Sequence, residues 1–158
     1  GNPFPEGAIM ASDSLHLTIA QLSDFDDVIA LLKSADLPVD DLNVEHLRYF
    51  LTTRENGKLT GVGGLEIYND AALLRSVAVA ESQRNRGIAL QLLAALEKLA
   101  RKNGVSALYL LTTTADKFFA KHGFVMVDRE NVPEHIRETR EFASICPSSA
   151  ICMKKSIE

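Results

Sequence analysis

The stretch Val79–Ala89, VAESQRNRGIA, limits what this chain can fold into more than any other. Apolar strand-like residues run into a polar turn, and Gly87 then opens a long amphipathic pattern, so the segment reads as strand, loop and helix. Exposed backbone N–H groups at a helix start, backed by the positive end of the helix dipole, make an anion site. Gly87 and Ala89 carry almost no side chain, which lets a phosphate come close to the backbone. Arg84 and Arg86 add charge-assisted donors whose fork suits phosphate oxygens. By itself the same loop also fits a solvated helix cap.

Around this loop the apolar pattern is that of a mixed α/β sheet. Leu15, Leu17 and Ile19 alternate with polar residues, as in a half-buried strand. Ser23 and Asp26 form a variant capping box ahead of a helix carrying Phe25, Val28, Ile29 and Leu32, which Leu37-Pro38 ends. A short helix over 43–47 precedes a strand over 49–53. Asn56-Gly57 accepts the positive φ of a type I′ hairpin turn, so strands over 59–68 and 72–79 follow as an antiparallel meander. The helix from Gly87 to Asn103 shows Ile88, Leu92, Leu96 and Leu99 on one face. A buried strand over 105–111, a short helix, a strand over 124–127, a helix after Pro133 and a strand over 150–154 complete the order. Residues 14–158 make a single domain; residues 1–13 read as a flexible leader or expression remnant, with Met10 a native start.

The segment Arg84-Asn85-Arg86-Gly87-Ile88-Ala89 has the form [Q/R]-x-x-G-x-[G/A]. It is followed at a suitable distance by Leu110-Leu111-Thr112-Thr113-Thr114-Ala115-Asp116-Lys117-Phe118-Phe119 and then Gly123-Phe124. With both segments in this order, the chain resembles the GCN5-related N-acetyltransferase (GNAT) superfamily from roughly Leu15 to Lys155. The resemblance implies a mixed sheet in which two parallel strands, here 74–79 and 105–111, splay apart. It implies that the loop, through Arg84, Arg86, Gly87, Ile88 and Ala89, holds the pyrophosphate of acetyl-coenzyme A. The pantetheine arm would pair with strand backbone at Val77 and Val79. It further implies a cosubstrate rather than a metal, and makes a homodimer reasonable. The segment 111–119 with Gly123-Phe124 is also similar to the acetyltransferase domain of N-acetylglutamate synthases and still more to the arsenic-resistance-associated acetyltransferases called ArsN, a likeness that 61–66, 73–76 and 132–150 share. Both imply an acceptor α-amine of a glutamate-like acid.

The catalytic positions depart from the family pattern. Its usual acid, a tyrosine four residues after the alanine, falls at Phe119, which has no proton to give. A water, Tyr68, Tyr109 or Thr113 could substitute. The family's frequent base falls at Leu73, so Glu66 is the nearest carboxylate candidate, against a solvated strand-face residue. Arg75 lies in the apolar run Leu73–Val79, where an unpaired charge is costly. It is either half of an internal salt bridge, with Glu66 as a partner, or a clamp on the carboxylate of an acceptor. Arg137 and Arg140 could add to such an anionic pocket or be solvated.

The charge of −4 gives no basic excess for nucleic acid. No apolar run reaches the ~18–20 residues of a membrane span, and no secretory signal is seen, so cytoplasm is the default. Cys146 and Cys152 lack a C-x-x-C spacing and read as buried thiols rather than zinc or redox ligands. The reading reached from sequence is an acetyl-coenzyme A-dependent N-acetyltransferase acting by direct attack of a small amino-acid-like amine. Acetylation of a protein or polyamine is one rival. Another is a module that binds the coenzyme as a sensor without catalysis.

Overall fold

The computed structural model describes residues 15–145 and 149–158. A seven-stranded sheet runs in the order β1 (Thr18–Ile19), β2 (Phe50–Glu55), β3 (Lys58–Tyr68), β4 (Ala71–Val79), β5 (Ala107–Thr112), β7 (Ile151–Ser156), β6 (Val125–Met126). All neighbours are antiparallel except β4 and β5. The β2–β3 hairpin turns at Asn56 and Gly57, with φ of 52° and 80°, the two positive values a type I′ turn needs. The leading strand is shorter than the alternation of Leu15, Leu17 and Ile19 predicts.

Two layers of helix cover the sheet. The long helix α2 (Ile88–Lys102) buries Leu92, Leu93 and Leu96 against Leu65, Leu74 and Leu108. On the opposite face α1 (Phe25–Ser34) buries Val28 and Leu32 against Phe50 and Val62. Beside it α4 (Glu134–Arg137) and the single wide turn Glu141–Ile145 pack Ile136 and Phe142 on Leu73 and Tyr109. Both faces of the sheet are therefore apolar, as a doubly covered sheet requires. The start of α1 differs from the capping box expected at Ser23. Asp24 accepts the Gln21 backbone N–H at 2.7 Å instead, and a short 3-10 turn, Leu22–Asp24, leads into the helix.

Three glycines of β3 set how near these layers come. A Cβ on Gly63 would lie 2.7 Å from Leu96 Cδ1, and one on Gly64 2.1 Å from the Phe50 ring. Any side chain at either position would push α2 or the Phe50 ring away from the sheet.

Cys152 is buried, and burial pushes its thiol up to about 11; Cys146 lies outside the described residues, as do residues 1–13. No described helix is long and apolar enough to cross a membrane.

Candidate active site

Parallel pairing of β4 with β5 stops after three residue pairs, Ala71–Ala107, Ala72–Leu108 and Leu73–Tyr109. Past Leu73 the two strands diverge, as expected for 74–79 and 105–111, and a cavity of about 720 Å³ opens between them. Among the described residues, one edge of β4 is thus free of strand partners along its second half.

A bulge re-aims that half. Gly64 pairs with Arg75 and Val62 with Ala78, so Gly63 alone faces both Ser76 and Val77. Ser76 takes the left-handed conformation with φ of 59°. Side chains of a regular strand alternate, but the extra residue breaks that parity. Leu74 and, three residues on, Val77 both pack toward α2, while Ala78 packs toward α1.

At the far end of β4 lies the expected anion loop. Gly87 caps α2 with φ of 78°, and among the described residues no atom beyond its chain neighbours comes within 4 Å of where its Cβ would be. Fifteen helical residues stand behind the free N–H groups of the first turn. Arg84 and Arg86 are exposed. Arg84 Nε donates to the Val79 carbonyl at 3.3 Å, so one backbone acceptor expected for the pantetheine arm already has a donor. Arg86 donates to Gln83 at 2.5 Å and lies 3.9 Å from Glu55. Arg84 and Ala89 line the cavity, as do Val77 and Val79. The Ile88 side chain is buried over Gly61, which leaves its backbone N–H as the group it can offer a ligand. The residues thus fit a diphosphate group joined to an extended chain.

The opposite end is built around Arg75, some four residues back along the strand, or roughly 13 Å at ~3.3 Å per residue. Its side chain has no exposed surface and faces three carboxylates. Asp41 takes it in a fork at 2.5 and 2.8 Å, Glu66 at 2.5 Å, and Glu141 lies 3.4 Å away. The salt bridge to Glu66 is therefore the geometry present. The guanidinium has no open face for the carboxylate of an acceptor, which weighs against the clamp. Asp41, His46 and Glu66 could between them offer ligand atoms to a metal ion, but Arg75 is the cation bonded there.

The three acids differ in charge. Burial opposes ionisation of Glu66, but hydrogen bonds from His46, Tyr68 and Arg75, with the Arg75 charge, hold its carboxyl down at about 2. Asp41 is likewise lowered, its Arg75 fork outweighing burial. Glu141 goes the other way. Burial, helped by the Asp41 and Glu66 charges, outweighs Arg75 and pushes it up to about 7. A carboxylate held at about 2 has little capacity to accept a proton at neutral pH, which argues against Glu66 as a base.

Of the hydroxyls expected as acids, Thr113 lines the cavity and is exposed. Tyr68 donates to Glu66 at 2.6 Å; burial and that bond push its phenol upward. Tyr109 is buried under Lys154. Phe119 is buried between the rings of Phe118 and Phe124, on α3 (Asp116–Lys121). The Thr112 hydroxyl accepts the Ala115 N–H at 2.9 Å, in the turn that leads into that helix. Arg137 donates to the Val132 carbonyl at 2.9 Å, outside this constellation.

Asp41 and Glu141 carry no mark of their own in the sequence. The signal that could have found them is Arg75, since a buried guanidinium needs more than one partner.

Residues 19–124 match the model of the acetyltransferase (GNAT) family. An uncharacterized N-acetyltransferase of Chlorobaculum tepidum is 29% identical over 110 residues, 69% of this chain and 68% of its own. An amino-acid acetyltransferase of Neisseria meningitidis is 28% identical over 95 residues, 59% of this chain but 22% of its own length. Among solved structures, N-acetylglutamate synthase of Neisseria gonorrhoeae, complexed with coenzyme A and N-acetyl-glutamate, superposes with a TM-score of 0.80 at 20% identity. It covers 91% of this chain and 35% of the synthase. The chain therefore spans only a fraction of those two Neisseria proteins.

Proposed function

The chain belongs to the GNAT acetyltransferase family and is an acetyl-coenzyme A-dependent N-acetyltransferase; from that premise we propose that its acceptor is a small primary amine, with amino-acid α-amines the first class. The observation that carries this reading is the cleft itself. An unpartnered strand edge ends at a helix N-terminus with two arginines, and its other end opens beside buried carboxylates. Arg84, Arg86 and the backbone at Gly87–Ala89 hold the diphosphate. Val77 and Val79 pair with the pantetheine arm.

The amine attacks the thioester directly, and Thr113, an exposed hydroxyl of the cavity lining, serves the departing sulfur. An α-amine, with its ordinary value of about 7.7–8.0, is partly neutral at pH 7, which lightens the demand on a base. The amino-acid class draws support from the amino-acid acetyltransferase and N-acetylglutamate synthase to which the chain is similar.

One observation favours a second acceptor class. Asp36, Asp40 and Glu141 line the cavity while Arg75 is neutralised within it, so a polyamine or other cationic amine meets an acidic wall. A glutamate-like acid would have to displace Asp41 or Glu66 from Arg75.

Thiol release from acetyl-coenzyme A separates these readings. The panel is glutamate, other amino acids, phosphinic and arsinic glutamate analogues, polyamines and a basic peptide. Turnover with amino acids supports the first class; turnover confined to polyamines or the peptide replaces it. In parallel, Arg84→Ala should weaken coenzyme A binding by roughly 10-fold or more, the worth of a charge-assisted bond, without lowering the melting temperature. Unchanged affinity would remove the loop from the binding site.

A further inference from the structure

We propose that Glu141 is the group that takes the proton from the acceptor's ammonium and hands it to water. This rests on the acetyl-transfer reading above and adds the residue that family spacing leaves unfilled, since Leu73 occupies that position.

Placement is the first argument. Glu141 lines the cavity at the end opposite the anion loop, beside the Ser76 bulge where the strands part. It opens a wide turn that Thr139 fastens at its start. The Thr139 hydroxyl donates to the Ile136 carbonyl at 2.7 Å and accepts the Phe142 N–H at 3.3 Å. Phe142, the next residue, is buried and anchors the start of the turn.

Competition is the second argument. Every other carboxylate facing this group is committed. Asp41, from the loop before the 3-10 helix Val44–Tyr49, is forked on Arg75. Glu66, from β3, is bonded by Arg75 and Tyr68 and lies 3.5 Å from His46 Nε2. Asp36 and Asp40 line the cavity but are exposed, so solvent screens them. Glu141 alone among these acids is buried, borders the cavity and makes only the looser 3.4 Å approach to Arg75. One guanidinium offset by two close carboxylates cannot also hold a third fully charged. Burial, with the Asp41 and Glu66 charges beside it, outweighs Arg75 and pushes the carboxyl up to about 7, close to the pH at which a base and its conjugate acid are both populated.

The proton balance is closed. The ammonium loses one proton to the Glu141 carboxylate, and the freed lone pair forms the C–N bond at the thioester carbon. On collapse the C–S bond breaks, the nitrogen loses its second proton and the departing sulfur gains one. One proton is left over per acetyl transferred, and Glu141 releases it to water.

Glu141→Gln tests this with an acceptor that wild type acetylates. At pH 7 the variant should lose roughly 10²-fold in kcat/KM for the amine, within the usual worth of a positioned base. Coenzyme A affinity should be unchanged. The deficit should shrink toward pH 9.5, where the free amine supplies itself, a recovery that a purely structural defect would not produce. Glu141→Asp should keep the acidic limb of the pH profile at a lower rate. In the unliganded protein, a ¹³C carboxyl resonance titrating near neutrality should vanish in Glu141→Gln. Wild-type kcat/KM and pH profile in a folded Glu141→Gln overturns the proposal alone. A wild type that acetylates no amine of the panel overturns it together with the acetyl-transfer reading.

Discussion

Arg75 shows how one residue can be read correctly as unusual and still be open as to role. Its position in an apolar strand announces a charge that must be met, but not by what. Asp41 lies 34 residues away and Glu141 66 residues away in sequence, and no local pattern ties either to β4. With three carboxylates around it, Arg75 is first a structural cation. Arg75→Ala would leave them facing one another in a buried site, and we expect a loss of about 3–5 kcal/mol in unfolding free energy, measured by denaturant titration. An effect confined to the KM of the acceptor, with stability kept, would instead restore Arg75 as a clamp. Phe119 is the converse case. The sequence showed the missing hydroxyl plainly, and the structure adds that the ring belongs to an aromatic stack with Phe118 and Phe124.

At the level of elements, the parts legible in sequence were those with their own local chemistry. Asn56-Gly57 carried its turn, and the period of Ile88, Leu92, Leu96 and Leu99 carried α2. The order of strands and the place where two of them part came with the family resemblance. Residue counting could not see the bulge. It depends on how β3 and β4 pair, and nothing in Arg75-Ser76-Val77 predicts a left-handed serine. The helix expected after Pro133 is a single turn followed by a wide one, because Thr139 draws the chain round to set Glu141 inward. The glycines of β3 also acquire their reason only from their neighbours across the layers. Gly64→Ala should cost about 1–3 kcal/mol through the forced shift of the Phe50 ring, read as a lower denaturation midpoint. Gly57→Ala makes a useful contrast, since its strain comes from φ alone and no atom lies near its Cβ.

For the whole molecule, the buried acids make stability depend on pH in two opposite senses. Glu66 falls from an ordinary 4.5 to about 2 on folding, so it contributes above pH 4.5, and this is lost as pH drops through about 2. Glu141 rises from 4.5 to about 7, so its contribution is complete below pH 4.5 and is lost as pH climbs through about 7. The melting temperature should therefore fall between pH 5 and 8, and Glu141→Gln should flatten that decline and be the more stable protein at pH 8. A wild-type profile without that decline would mean Glu141 ionises freely in the folded state. With the decline present, stability and proton transfer draw on the same carboxyl, the protein giving up some firmness at the pH where that group can work. The seam between β4 and β5 has a consequence of another kind. Three residue pairs join a four-stranded half-sheet to a three-stranded one, so along the rest of that line the sheet resembles a jacket left unzipped. On the proposed pairing of the pantetheine arm with β4, the cosubstrate would be the missing slider, lending the sheet a strand that the described residues do not supply.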